Sequence, residues 1–130
     1  MTTLFSIAMG GALGAVSRYL LGGWIGGWAG AWSGGALPLG NVAVNLIGSF
    51  LLGVLIELSA LTWSLSEEIR AFLVIGLLGG FTTFSAFSME VMVLFERGRF
   101  DLAAVYAIGS VVLAIGGFFA GLKLMRVVLA

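Results

Sequence analysis

Four long apolar segments constrain this chain to a helical membrane protein. They cover about residues 3–22, 39–60, 69–95 and 102–127, and each has the roughly 20 residues that a helix needs to cross the hydrocarbon core. Of the 130 residues, 61% are hydrophobic and 9% are charged, whereas soluble domains are about 25% charged. We therefore expect an all-α integral membrane protein, with one four-helix transmembrane domain over residues 1–130.

Two missing residue types exclude several function classes. The sequence has no histidine and no cysteine, so it offers no haem ligand, no thiolate for zinc or iron–sulfur clusters, and no disulfide. Histidine is also the commonest general base. The formal net charge of zero provides no basic surface for nucleic acid. The sequence therefore predicts a protein that is not an enzyme and binds no nucleic acid.

The stretch Gly79–Glu90, GGFTTFSAFSME, interrupts the third apolar segment near its middle. The paired glycines give the backbone freedom to leave helical geometry, and the hydroxyls of Thr82, Thr83 and Ser85 can satisfy some of the freed backbone groups. Inside a bilayer such a break is tolerated only where it is buried in protein or lines a polar cavity. We predict a third helix that is broken mid-membrane, beside a site where something polar passes or binds.

The positive charges are balanced between the two membrane faces. Four spans put both termini and the loop between spans two and three on one side. Each side then holds three positive residues: Arg70, Lys123 and Arg126 on the side of the termini, and Arg18, Arg97 and Arg99 on the other. Orientation is set by an excess of such residues on one side. The balance predicts insertion in both directions, so that an antiparallel homodimer recreates the inverted symmetry of many transport proteins.

The segments outside the spans carry simpler expectations. Residues 22–37 are rich in glycine and tryptophan and uncharged, which favours a flexible loop with an aromatic belt over a ligand site. Arg18 is expected to snorkel to the interface, and Glu57, close to the end of its span, is interpreted as interfacial. Ser64 and Glu67 fit a capping box at the start of the third span.

Polar residues recur along one face of the second span. Asn41, Asn45, Gly48 and Leu52 are separated by four, three and four positions, which places them on the same side of a helix. Asn45 lies deeper and must find a hydrogen-bond partner. A bond between helices and a functional role are equally compatible with it.

The fourth span has a similar face. Tyr106 and Ser110 supply hydroxyl donors, and Gly117-x-x-x-Gly121 follows them on the same side. The glycine pair is interpreted as a helix-packing surface, as is Gly10-x-x-x-Gly14 in the first span.

Phe84 and Phe87 lie three residues apart in the third span, with Glu90 one turn further. Aromatic rings have a positive edge, which can face an anion without trapping it. Amide N–H groups, hydroxyls and ring edges together suit a small, strongly hydrated anion that must bind and still leave. Glu90 would repel an anion as a free carboxylate, whereas protonated or engaged with a hydroxyl it could donate to or orient other groups.

Three motifs resemble one family: Gly14-x-x-x-Arg18-Tyr19, Gly40-Asn-Val-Ala-Val-Asn45-Leu-Ile-Gly48 and Gly79-Gly-Phe-Thr-Thr-Phe-Ser85. In size, span count and motif order the whole chain is similar to the Fluc (CrcB) fluoride channels. The resemblance implies a dual-topology homodimer with two pores, which exports fluoride passively across the bacterial plasma (inner) membrane. Its partners would be the fluoride ion, membrane lipid and a second, antiparallel copy.

The resemblance also implies roles for individual residues. The pore asparagine corresponds to Asn45, the ring-edge phenylalanines to Phe84 and Phe87, and the polar track to Thr83, Ser85, Glu90, Tyr106 and Ser110. A structural sodium ion (Na+) at the dimer centre would be held by backbone carbonyls of Gly79 and Thr82 from both subunits. The chain departs from the family where Asn41 replaces a common threonine and Ala114 a serine. Asn41 keeps a donor and is retained as a pore residue, whereas Ala114 removes a hydroxyl from the track.

Two other functions fit the span count. A proton-coupled small multidrug exporter also has four short spans and dual topology, but such carriers place a proton-exchanging carboxylate in the first span. This chain has no acid there, and only Glu90 could serve. A structural subunit of a larger complex would show small-residue interfaces and no polar line through the bundle. The polar and aromatic residues grouped around Asn45, Phe84 and Tyr106 form such a line and argue against a purely structural subunit.

Overall fold

The chain is helical through almost all of the residues that the structure, a computed structural model, describes, which are 1–62 and 64–130. Two long helices, α1 (Thr2–Ser33) and α2 (Leu39–Leu61), come first. The third span begins as α3 (Glu67–Arg70), continues as a π-helical segment (Ala71–Leu78) and ends in a single turn, α4 (Gly79–Phe81). It resumes as α5 (Ser85–Glu96), and α6 (Phe100–Val128) completes the bundle.

Four helical stretches are long and apolar enough to cross a membrane: Thr2–Ser33, Leu39–Leu61, Glu67–Glu96 and Phe100–Val128. The described residues contain no strand. Many large apolar side chains point outward from all four stretches, as expected where lipid is the solvent. The prediction of an all-helical, four-span membrane protein is confirmed.

Glycines allow the helices to pack backbone against backbone. Helix α2 packs mainly along α6, and α1 mainly along the π-helical segment. A Cβ atom at Gly14 would lie 2.8 Å from the backbone nitrogen of Phe81, and one at Gly121 would lie 2.9 Å from that of Val54. The predicted packing role of the two glycine pairs is therefore confirmed.

The substitution Gly14→Ala should destabilise the bundle. The new methyl group would overlap the third span's backbone, and such overpacking costs about 1–3 kcal/mol. Gly11→Ala is the matched control, because a Cβ atom there meets nothing within 4 Å. A thermal unfolding series in detergent should rank Gly14→Ala below the native chain and Gly11→Ala at or above it. Equal midpoints for the two variants would contradict this packing.

Helix α1 is longer than the sequence predicted. Residues 22–33 belong to α1 and not to a loop, and the connection is confined to the short segment 34–38, where Gly34 and Gly35 adopt φ values of 69° and 72°. The helix persists through its glycines because backbone groups near lipid must bond internally. Gly26 also packs against α2, since a Cβ atom there would lie 3.7 Å from Cα of Gly40.

The predicted capping residue was wrong, and Glu57 has a partner that the sequence did not reveal. Ser66, not Ser64, caps the third span: its Oγ accepts a hydrogen bond of 3.4 Å from the N–H of Ile69. Because the helix begins at Glu67, the residue immediately before it is the one placed to cap. Glu57 is buried, and its carboxylate accepts hydrogen bonds from Arg126 at 2.8 and 3.2 Å, so it is a paired group that links α2 to α6.

Candidate functional site

The site is organised around the interruption between α4 and α5. Helical geometry stops at Phe81, where Thr82 becomes extended with φ −85° and ψ 158°, and it resumes at Ser85. The side-chain amide of Asn45, on α2, bonds both backbone groups of Thr83. Its Nδ2 donates to the carbonyl of Thr83 at 2.9 Å, and its Oδ1 accepts from the N–H of Thr83 at 2.7 Å. The side chain of Asn45 thus replaces the hydrogen bonds that the N–H and the carbonyl of Thr83 would make in a continuous helix.

The side chain of Thr83 then starts the next helix. Its Oγ1 accepts a hydrogen bond of 3.1 Å from the N–H of Ala86 and lies 3.2 Å from Oγ of Ser85. A hydroxyl that accepts from an amide three residues later is the usual way to satisfy a free N–H at a helix start. Asn45 and Thr83 therefore hold the interruption together from both sides.

A first cavity of about 290 Å³ lies against this interruption. Ser110 reaches it from α6, and its Oγ is buried with no hydrogen-bond partner within the described part of the chain. The cavity is bounded by α2, the third span and α6, and its lining residues are Asn45, Gly48, Ser49, Leu52, Val74, Leu78, Gly79, Thr82, Thr83, Phe84, Phe87, Ser110, Val111 and Ala114. A buried hydroxyl without a partner remains free to bond a ligand in this cavity.

The two phenylalanines of the third span meet at the first cavity. The ring centroids of Phe84 and Phe87 are 5.2 Å apart, and the ring of Phe87 stacks on Tyr106 at 5.8 Å with an interplanar angle of 21°. Phe84 is 75% exposed in the single chain, so one side of its ring has no neighbour from this chain. The arrangement gives the cavity an aromatic wall.

Glu90 has both carboxylate oxygens engaged by neutral donors. Nδ2 of Asn41 donates to Oε1 at 2.6 Å, and the hydroxyl of Tyr106 donates to Oε2. Tyr106 is buried, at 3% exposure, so this bond lies inside the bundle. Of the alternatives left open by the sequence, the structure shows Glu90 engaged with a hydroxyl and with the amide of Asn41.

A second cavity, of about 430 Å³, is lined in part by Glu90 and Asn41. Arg18 faces it, with a buried Nε that has no hydrogen-bond partner among the described residues. The sequence analysis expected Arg18 to reach the interface and did not predict that it lines a cavity. Arg18 follows the packed Gly14 by four positions, so it shares the inward face of α1, and that spacing was the available signal. The lining residues are Ala15, Arg18, Tyr19, Gly22, Gly23, Gly26, Pro38, Gly40, Asn41, Ala86 and Glu90.

The predicted site residues therefore form one line through the bundle. Asn45, Thr83, Phe84, Phe87 and Ser110 line the first cavity, and Asn41 and Glu90 line the second. Tyr106 joins the two groups, because it bonds Glu90 and stacks on Phe87. Ser85 is exposed at the rim, next to Thr83.

The two residues predicted to supply carbonyls for a cation flank the short helix α4: Gly79 begins it and Thr82 directly follows it. In a continuous helix the N–H of Thr83 would donate to the carbonyl of Gly79, but here it donates to Asn45. That carbonyl thereby loses its helical donor, and Gly79 lies at the exposed surface of the chain. The described residues hold no cluster of three or more acidic, histidine or cysteine ligands. A cation at this point would need backbone oxygens, which suit hard cations.

Comparison with known proteins gives consistent matches over nearly the whole chain. Residues 5–122 match the family model described as CrcB-like protein, Camphor Resistance (CrcB). A protein of Rhodospirillum centenum named fluoride-specific ion channel FluC is 48% identical over 134 residues, covering 100% of both chains. Proteins of the same name from Agrobacterium fabrum and Geobacter sulfurreducens are 48% and 46% identical, each covering 97% of this chain and 98% of the relative.

Proposed function

This chain belongs to the CrcB family, and on that basis we propose that it is a fluoride-selective ion channel. It would let fluoride leave the cell passively across the bacterial plasma membrane and so protect the cell from fluoride. The relatives named above carry the name fluoride-specific ion channel. The observation within this chain that carries the proposal is the line of donors and ring edges from the second cavity to the first.

The chemistry of that line suits a small anion. Fluoride is strongly hydrated, so a conducting site must replace its water hydrogen bonds while leaving it free to move on. Among the described residues the hydroxyl of Ser110 has no hydrogen-bond partner, and Ser110 lines the first cavity together with the rings of Phe84 and Phe87. Arg18 is the cation of the second cavity, where it can attract an anion to the entrance.

A flux assay with purified protein tests the proposal. Liposomes loaded with potassium fluoride, with valinomycin added to carry the compensating charge, should release fluoride to an external electrode, and matched vesicles loaded with potassium chloride should release little chloride. Empty liposomes give the background. Well-folded protein that releases no fluoride, and that instead takes up a cationic drug when a proton gradient is applied, would overturn the channel in favour of the exporter.

Within the channel, we propose that the side chain of Asn41 binds Glu90 and does not contact the ion. Its Nδ2 donates to Oε1 of Glu90, which keeps that oxygen from facing the passing anion as a free acceptor. Asn41→Leu should therefore slow fluoride flux about tenfold. Leaving the part-buried Oε1 of Glu90 without this donor costs about 1–3 kcal/mol, and about 1.4 kcal/mol is tenfold.

A double-mutant cycle measures whether Asn41 acts through Glu90. In a Glu90→Gln background, Asn41→Leu should have a much smaller effect than in the native chain, because the carboxylate that it pairs is gone. Fluoride efflux from liposomes is measured for the native chain, the two single variants and the double variant, and the four rates give the coupling free energy between Asn41 and Glu90. Additive effects would mean that Asn41 meets the ion directly.

We further propose that the functional unit is an antiparallel homodimer in which the interruption of the third helix lies mid-membrane. The exposed ring of Phe84 and the exposed Gly79 give one chain an incomplete wall, which a second copy would close. The balanced positive charges favour insertion in both directions.

Because the chain has no cysteine, Ala130→Cys provides a single label for a test of orientation. An impermeant maleimide should reach about half of the chains from outside the cell.

We also propose a structural Na+ between the two copies, held by the carbonyls of Gly79 and Thr82 from each. The diversion of Thr83's N–H to Asn45 supports this by leaving the Gly79 carbonyl without its helical donor. A ligand that binds only the native dimer raises its stability. The unfolding midpoint should therefore be higher in sodium than in N-methylglucamine at equal ionic strength. Equal unfolding midpoints over a wide range of sodium concentrations would contradict a structural sodium ion.

A further inference from the structure

The tip of the α1–α2 hairpin is uncharged, although it lies at a membrane face. From Tyr19 to Ile56 the sequence has no Asp, Glu, Lys or Arg, and this range includes the whole connection between the two helices. The loop at the same end of the bundle, between α5 and α6, carries Arg97 and Arg99, and Asp101 follows in the first turn of α6. One hairpin tip is therefore suited to water, whereas the other has the composition of a segment that stays in contact with lipid.

Helix α1 is longer than the hydrocarbon core. Its 32 residues span roughly 48 Å, against about 30 Å for the core and about 40–45 Å with the headgroup layers. Gly22 and Gly26 pack beside Gly40, in the first turn of α2, which marks where the neighbouring helix begins. The part of α1 beyond Gly26 continues for roughly 10 Å past that level. This length matches the interfacial layer.

Three tryptophans form a stripe on this end of α1. Trp24, Trp28 and Trp32 are 71%, 62% and 80% exposed, and their spacing of four places them on one face, opposite the packed glycines. The stripe continues an outward row of apolar residues from the membrane-spanning part of α1, namely Leu13, Val16 and Leu20. The stripe is therefore continuous with the outward apolar face of the membrane-spanning part of α1.

We propose that the tryptophan stripe is a lipid-binding surface that extends through the interfacial layer of the bilayer. Its occupant is phospholipid: the indole rings pack against acyl chains and glycerol, and the ring N–H groups donate to ester and phosphate oxygens. Successive tryptophans rise by roughly 6 Å along the helix axis. Trp24 lies deepest, at the edge of the hydrocarbon core, Trp28 lies among the esters, and Trp32 lies among the headgroups. This surface serves anchoring and depth, and its role is independent of fluoride conduction.

Depth-dependent fluorescence quenching tests the proposed order of depths of the three tryptophans in the bilayer. Each chain retains one of the three stripe tryptophans, and the other tryptophans, including Trp63, are replaced by phenylalanine. Reconstitution into phosphatidylcholine vesicles with bromine at shallow, middle or deep acyl positions should give quenching depths in the order Trp24, Trp28, Trp32, from deepest to shallowest. Aqueous iodide should quench in the reverse order. As a matched control, Leu13→Trp in a chain without any of the four native tryptophans lies in the same outward row and should be quenched best by the deepest bromine.

Each alternative has its own signature in this assay. Equal depths for the three tryptophans would show a helix end lying flat on the bilayer and would overturn the graded stripe. Protection from both lipid bromine and iodide would show a second copy covering the surface. Strong iodide quenching without any bromine quenching would place the stripe in water, and the proposal would also fail. Size-exclusion profiles that match the native chain confirm folding of each variant, and none of these readouts depends on fluoride flux.

Discussion

A chain carrying Asn45→Asp should conduct fluoride more than about 100-fold more slowly than the native chain. Two like charges about 4 Å apart at an effective dielectric constant of about 20 repel by about 4 kcal/mol, and about 1.4 kcal/mol is tenfold. The carboxylate would face the first cavity. One of its oxygens would also oppose the carbonyl of Thr83, where the native Nδ2 donates at 2.9 Å. Liposome efflux measures the loss.

Asn45→Ala separates the two roles of this residue. Alanine removes both bonds to Thr83 and introduces no charge, so it reports what Asn45 contributes to holding the interruption. We expect the alanine and aspartate variants to lose thermal stability to a similar extent, and the aspartate variant to lose considerably more flux. Native flux in the aspartate variant would remove Asn45 from the pore. Equal flux losses in the two variants would confine it to a structural role.

Phe84→Ile and Phe87→Ile should each lower fluoride flux by about tenfold while leaving the fold intact. Isoleucine keeps an apolar side chain at the cavity but has no positive ring edge to face the anion. Interactions of this electrostatic kind are worth about 0.5–1.5 kcal/mol, and about 1.4 kcal/mol is tenfold. The effect at Phe87 should be accompanied by a small loss of stability, because its ring also stacks on Tyr106 at 5.8 Å.

Phe95→Ile is the matched control for both substitutions. Phe95 lies on α5, as Phe87 does, and Phe84 directly precedes this helix. The ring of Phe95 meets Phe100 at 4.8 Å, but Phe95 does not line the first cavity. It should conduct like the native chain in the same efflux assay. Unchanged flux in both cavity variants would eliminate the ring-edge role. A loss in Phe95→Ile equal to theirs would attribute the effect to general loosening of α5.

The number and order of the spans were predictable because apolar length alone decides them. The end of α1 was not, because the glycines between Trp24 and Trp32 favour a loop in water but form a helix beside lipid and α2. The π-helical segment Ala71–Leu78 has no distinctive sequence pattern in this chain, since its residues are as apolar as those of an ordinary span. Local composition predicts the length of a helix where its surroundings are known. It predicts the wrong length where the surroundings change from lipid to water along the chain.

For the site, residue types were easier to predict than partners. Helical spacing placed Asn41 and Asn45 on one face and brought the rings of Phe84 and Phe87 together. It could not show that Asn45 bonds a backbone segment 38 positions away, or that Asn41 bonds Glu90. Those pairings depend on how helices rotate against one another, which is set by backbone contacts at glycines such as Gly14. The inward placement of Arg18 follows from the same contacts.

The two bonds between Asn45 and Thr83 make the interruption a fixed joint rather than a hinge. A hinge would require freely rotating backbone, whereas here both polar groups of Thr83 are tied to a neighbouring helix and its hydroxyl is tied to Ala86. For the proposed channel, this means that the interruption itself does not act as a moving gate. Ions would then pass a wall of constant shape at this point, and passive flux would follow the electrochemical gradient of fluoride across the membrane.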